Sequence, residues 1–303
     1  MQTSDGDWQQ TVQRAAAGIR RRVLSLVLDH DGGYLSQACS SAEILATLYL
    51  RVMRLGPSQG PAQPPPFPGT PGAGQEAVIN GGVYNGPRGP ELDRFFFSPV
   101  HYALALYATL VETGRLAPEA LSQFNVDGGT VEMIGAEHSP GIETMAGSLG
   151  QTLSVAGGVA LARRLKGEPG RVWVFMSDGE LQEGQTWEAL AAAGHHGLDN
   201  LGLYMDVNAQ QCDGPMSGVA TVEPAAERVR AFGAVVYEVD GHDVDALAAP
   251  ARAEHPGAPL VVLCRTDPCR GVAPLEERRN KLHHVRFRDA EERRAFEQAL
   301  EQL

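Results

Sequence analysis

The sequence predicts an α/β fold, a mostly parallel sheet with helices on both faces, and three observations carry that prediction. First, residues 171–176 form a short, almost wholly apolar run, residues 185–196 have helical periodicity, and residues 201–205 form a second apolar run. Strand, helix and strand in that order make a β-α-β unit. Second, the alternation continues downstream, with helices at 222–232 and 243–253 and strands at 235–239 and 260–264. Third, the 303 residues contain no internal repeat and suffice for one large domain with a substantial core, so a single domain over 1–303 is expected.

The amino-terminal half supplies further helices. Residues 12–28 place apolar side chains at helical spacing with arginines opposite, and Asp31-Gly32-Gly33 then turns the chain. Residues 41–53 read as a helix, and Ser40-Ser41-Ala42-Glu43 at its start reads as a capping pattern. Proline and glycine dominate residues 56–90, so no helix or paired strand propagates there, and a long surface loop is expected, as decoration rather than a cover for a channel. Ser98-Pro99-Val100-His101 leads into a helix at 103–108, and Gly147-Ser148-Leu149-Gly150-Gln151 leads into another at 153–165. The charged amphipathic tail, 289–303, reads as a helix docked on the domain or on a partner.

Composition excludes several classes. A net charge of −12 without a long basic cluster argues against nucleic acid. No apolar run reaches the length of a membrane span, and the first seven residues lack the basic start and apolar centre of a signal peptide, so a cytoplasmic location is expected. Cys39, Cys212, Cys264 and Cys269 show no Cys-x-x-Cys spacing and read as reduced thiols.

Chemistry concentrates at the carboxyl ends of the two strands in the β-α-β unit. Asp178 begins Asp-Gly-Glu-Leu-Gln-Glu-Gly just past the first strand, and Asn208 stands just past the second. Open parallel sheets bind ligands in the crevice at that end. A carboxylate and an amide oxygen there are hard donors suited to Mg2+ or Ca2+ rather than zinc. An EF-hand is excluded because the twelfth position counted from Asp178 is Ala189. A dinucleotide fingerprint is excluded because the segment from Gly147 to Thr152 lacks its third glycine. Backbone N–H groups at the helix start after Gly147 suit a phosphate.

In this order, Gly147 to Gln151, the Asp178–Asn208 pair with its thirty-residue spacing, Leu198-Asp199-Asn200-Leu201, Asp213-Gly214-Pro215 and Val239-Asp240-Gly241-His242-Asp243 resemble the amino-terminal domain of the transketolase family. The resemblance runs from about Val12 to Val272. It implies a thiamine diphosphate-binding fold and transfer of a two-carbon ketol unit from a ketose or ketose phosphate to an aldose. It implies a metal site of Asp178, Asn208 and the backbone carbonyl of Gln210, with Gly147, Ser148, Leu149, Gly179, Glu180 and His101 around the cofactor. His30 is expected toward substrate, and Glu183 at a subunit interface in a proton network supported by Glu188. The pattern departs at Ser177, where glycine is usual, at His138 in place of a Gly-His-Pro run, at Arg270-Gly271, and at His283-His284.

The resemblance covers the amino-terminal domain alone, so the family's pyrimidine-binding domain is expected on a separate chain. The resemblance therefore implies a heterotetramer formed with a carboxy-terminal partner subunit, its active sites lying between chains. The alternatives are a related carboligase of specialised metabolism, a 2-oxo acid dehydrogenase component, ranked lower because it would not share Gly147 to Leu153 in this form, and a noncatalytic assembly or regulatory partner.

Overall fold

The computed structural model describes residues 7–69 and 78–303. Residues 1–6, on which most of the signal-peptide reading rests, and 70–77 of the Pro/Gly-rich segment lie outside the described residues. Helix α1 (Trp8–Asp29) leads through β1 (Gly32–Gly33) into α2 (Ser36–Thr47), which widens into a π turn over Leu48–Val52. Next come β2 (Arg94–Phe97), α3 (Ala103–Glu112), α4 (Thr152–Lys166) and β3 (Val172–Ser177). A 3-10 turn over Asp178–Gln182 joins β3 to α5 (Gly184–His195), and β4 (Leu201–Val207) follows. A small ribbon of β5 (Gln210–Gln211) and β6 (Gly214–Pro215) precedes α6 (Met216–Val219) and α7 (Ala225–Ala231). Strand β7 (Val235–Asp240), α8 (Val244–Ala248), β8 (Leu260–Arg265), β9 (Val285–Arg286) and α9 (Ala290–Gln302) complete the order.

Five strands form one parallel sheet in the order β2-β3-β4-β8-β7. Alternate residues of each strand face opposite sides. Trp173, Phe175, Tyr204 and Val262 pack into a core with α1, α2 and α3, while Val174, Met176, Leu203 and Met205 pack into a second with α4, α5 and α7. Helices therefore cover both faces, which is the predicted class. Gly202 is required where it stands, because a Cβ there would lie 2.3 Å from the Trp173 ring.

Several expectations change in detail. Helix α2 begins at Ser36, so Ser40 and Ser41 are inside it rather than capping it; Ser41 Oγ donates to the Gln37 carbonyl at 2.6 Å. The reason is tertiary: all twelve residues of α2 are buried, and that burial overrides a local start signal. Strand β2 was not anticipated, although Phe95, Phe96 and Phe97 are all buried in it. Helix α8 stops before Pro250, where a 3-10 turn over Pro250–Arg252 takes over. The segment at 56–90 is strapped down by the backbone, with Ala117 N–H donating to the Ala62 carbonyl at 2.9 Å and Phe67 N–H to that of Gly128 at 2.8 Å. Helix α9 docks on its own domain through Phe296, fully buried, after Asp289 caps its start by accepting from the N–H groups of Glu291 and Glu292.

Candidate active site

At the carboxyl end of β3 the chain turns sharply, and Glu180 holds that turn. Its buried carboxylate accepts from the Ser177 N–H at 3.0 Å, the Gly150 N–H at 3.0 Å and the Ser98 hydroxyl. One side chain thus ties the ends of β2 and β3 to the start of α4. Gly150 suits this junction twice over: its φ is +78°, and a Cβ would come 2.8 Å from that of Glu183.

Asp178 follows β3 and is 1% exposed; its Oδ2 accepts from the Ala209 N–H at 2.8 Å. Ala209 has φ +58°, a left-handed conformation that costs a side-chain-bearing residue about 1 kcal/mol and is held by that bond. Beside it, the Asn208 amide is oriented by its neighbours. Its Nδ2 donates to the Tyr102 hydroxyl at 3.0 Å and to Asp206 Oδ2 at 3.1 Å, while its Oδ1 accepts from the Gln210 N–H at 2.9 Å. Asp206 is fully buried and also accepts from Ser40 at 2.5 Å, Tyr102 at 2.9 Å and Thr266 at 2.5 Å.

Burial, and then the charge of Asp206, push the Asp178 carboxyl well above the usual range. Burial likewise raises Asp206, opposed by its hydrogen bonds from Ser40, Thr266, Tyr102 and Asn208. A cation beside these two buried carboxyl groups would offset their desolvation and mutual repulsion. The Gln210 side-chain oxygen is buried and has no hydrogen-bond partner among the described residues. The donors gathered here are all oxygens, a set that fits Mg2+ or Ca2+.

A cavity of about 270 Å³ opens beside Asn208 and Gln210, and Asp178, buried behind Gly179, is not part of its lining. His101, Gly147, Leu149, Gly179, Glu183, Asn208 and Gln210 line it, together with Gln37, Tyr102, Gln182, Cys212 and His283. A Cβ at Gly147 would meet nothing within 4 Å, so the backbone there faces open space. Burial, and then His283, hold His101 down at about 3, so its imidazole is neutral at physiological pH. Its ring centroid lies 5.1 Å from that of His283.

Other sequence-predicted residues stand elsewhere. His30 is exposed, packs edge-on against Phe124 at 5.1 Å and does not line the cavity. Ser148 is exposed beside it, and Glu180 is used up within the wall. Glu183 is exposed at the cavity edge, whereas Glu188 is exposed farther along α5, outside the cavity. His138 stacks on Phe67 at 4.5 Å and faces Glu132 at 3.1 Å, away from the lining. Sequence reasoning gave no role to Asp206, Tyr102, Tyr34 or Gln182. Asp206 was findable, because it shares a strand face with Asn208 two residues on.

Among the described residues no helix is long and apolar enough to cross a membrane. The family profile described as transketolase, thiamine diphosphate binding domain, matches residues 83–299. A transketolase family protein of Sinorhizobium fredii is 36% identical over 280 residues, covering 91% of this chain and 90% of that protein. The 6-deoxy-6-sulfo-D-fructose transketolase subunit from a Clostridium species is 31% identical over 281 residues, 91% of this chain and 91% of that protein. The crystal structure of transketolase from Campylobacter jejuni superposes with a TM-score of 0.72 at 23% identity, covering 96% of this chain and 46% of that one, and so shows the shared fold. With the fold, the profile and these relatives in agreement, the chain belongs to the transketolase family and carries its thiamine diphosphate-binding domain.

Proposed function

We propose that this chain is the amino-terminal subunit of a two-subunit transketolase, moving a two-carbon ketol unit from a ketose or ketose phosphate to an aldose with thiamine diphosphate and Mg2+ or Ca2+. The observation that carries the reading is the buried oxygen cluster of Asp178, Asn208 and Gln210 beside a cavity edged by open backbone at Gly147. When bound, the cofactor supplies the nucleophilic carbon and the electron sink for the transfer. The chain's own residues do the holding. Asp178 and Asn208, with the backbone carbonyl of Gln210, would coordinate the ion; backbone N–H groups from Gly147 to Leu149 would face the diphosphate; neutral His101 would donate or accept a hydrogen bond beside it.

The pyrimidine half of the site would come from a carboxy-terminal partner subunit, and two such pairs would form a heterotetramer in the cytoplasm. Support for a separate partner comes from the Clostridium relative, which is named as one subunit of a transketolase and is matched over 91% of its length. Glu183, exposed at the cavity edge, would meet the partner there. Purification through a tag on this chain, followed by mass measurement of what accompanies it, tests the reading. A second chain and thiamine diphosphate in equal amounts are expected; a chain recovered alone and unable to bind the cofactor with any added transketolase partner would sink it.

A further inference from the structure

Tyr34 has no part in the half-site described above, yet the fold sets it against two of the cavity's imidazoles. The placement begins with Gly32 and Gly33. These residues pair antiparallel with Arg286 and Val285, and a Cβ on Gly32 would lie 2.6 Å from the Val285 carbonyl. Strand β1 therefore lies close along β9, and the residue after β1 meets the two residues before β9. Tyr34 packs edge-on to His284 with ring centroids 4.9 Å apart and to His283 at 5.4 Å, both at 84°, and stands 5.8 Å from His101.

The His283 backbone is itself fixed. Its carbonyl accepts from Gln37 Nε2 at 2.9 Å, and the Leu282 carbonyl accepts from Ser36 Oγ at 2.9 Å. Tyr34 thus has a set position and remains half exposed, and its hydroxyl makes no hydrogen bond to any described residue. The residues lining the cavity include no lysine or arginine. Around Tyr34 the chain offers a phenol and imidazoles, groups that read hydroxyls and carbonyls, while on its far side His284 borders a second pocket that carries Arg278, Lys281 and Arg286.

We propose that Tyr34 is a specificity-determining residue whose phenol hydrogen-bonds an oxygen of the sugar chain, so that its contribution to binding is the same for a sugar with or without a phosphate. The inference rests on the cofactor half-site reading, since it takes the sugar to approach past His101 and His283. The test compares wild type with Tyr34→Phe, which removes only the hydroxyl, in the complex isolated with its native partner. D-xylulose 5-phosphate and D-xylulose serve as donors, and thiamine diphosphate affinity is measured by calorimetry.

Losing one hydrogen bond to substrate is expected to raise KM about tenfold for both donors by the same factor, with kcat changed by less than about threefold and cofactor affinity unchanged. Unaltered KM for both donors overturns the proposal. A parallel loss of cofactor affinity also overturns it and makes Tyr34 part of the cofactor scaffold. If the wild-type complex fails to bind thiamine diphosphate, the half-site reading itself fails, and this inference with it.

Discussion

Replacing Glu180 by glutamine should loosen the cofactor cavity from behind without touching any ligand. The wild-type carboxylate is an acceptor only: one oxygen takes the Gly150 N–H and the Ser98 hydroxyl, the other the Ser177 N–H. Glutamine has one acceptor oxygen and one donor nitrogen. If the oxygen faces Gly150, the amide nitrogen opposes the Ser177 N–H; if it faces Ser177, the nitrogen opposes the Gly150 N–H, though Ser98 can rotate to accept. Either rotamer orphans one buried backbone donor, at roughly 1–3 kcal/mol. Glu180→Ala orphans both, at roughly 2–6 kcal/mol before any cavity contribution. Urea denaturation of each variant should show that order, and cofactor titration should show weakened binding, because the start of α4 is no longer tied to β3. A Glu180→Gln protein as stable as wild type would refute the acceptor-only reasoning.

The remaining predictions concern the metal ligands and acid stability. Asp178→Ala should weaken magnesium-dependent retention of thiamine diphosphate by roughly a hundredfold, and Asn208→Ala less, with circular dichroism unchanged; equal affinity in both variants would remove these residues from the metal site. Glu43 is buried; burial alone raises its carboxyl, but hydrogen bonds from His242 at 3.0 Å and Arg20 at 2.5 Å outweigh that and bring it from the ordinary 4.5 to about 2. A depressed carboxyl contributes stability that is complete above pH 4.5 and is lost as pH falls through 2, here on the order of 3 kcal/mol. Denaturation midpoints between pH 2 and 6 should therefore slope less steeply in Glu43→Gln, and parallel slopes would contradict the assignment.

Legibility in the sequence followed how local each signal was. The β3, α5 and β4 segments were readable because fully buried parallel strands give unbroken apolar runs and the helix between them has its own period. The start of α2 was misread because Ser-Ser-Ala-Glu carries a capping pattern in a helix that is buried on every side. Strand β2 was missed because three phenylalanines after a proline-rich stretch give no period to read.

Near the candidate site, the placement of Asp178 and Asn208 just past the ends of β3 and β4 was legible from spacing. Tyr34 was not, since only the β1–β9 pairing, across some 250 residues, brings it to His283 and His284. His30 shows the converse: a histidine beside a glycine turn suggests chemistry, while the turn directs it to Phe124. The Val239 to Asp243 motif proved to be a junction, with His242 Nδ1 facing Glu43 and its Nε2 accepting from the Asp267 N–H at 2.8 Å.

Dependence on a second chain is the claim on which the functional account turns. Its direct test is ketol transfer from xylulose 5-phosphate to ribose 5-phosphate, and across a wider panel of donors and acceptors, by this chain with thiamine diphosphate and Mg2+, with and without the copurified partner. The account predicts no turnover by the chain alone, where Glu183 and the Gly147–Ser148 edge of the cavity are exposed, and turnover once the partner is added. Robust turnover by the chain alone would contradict it.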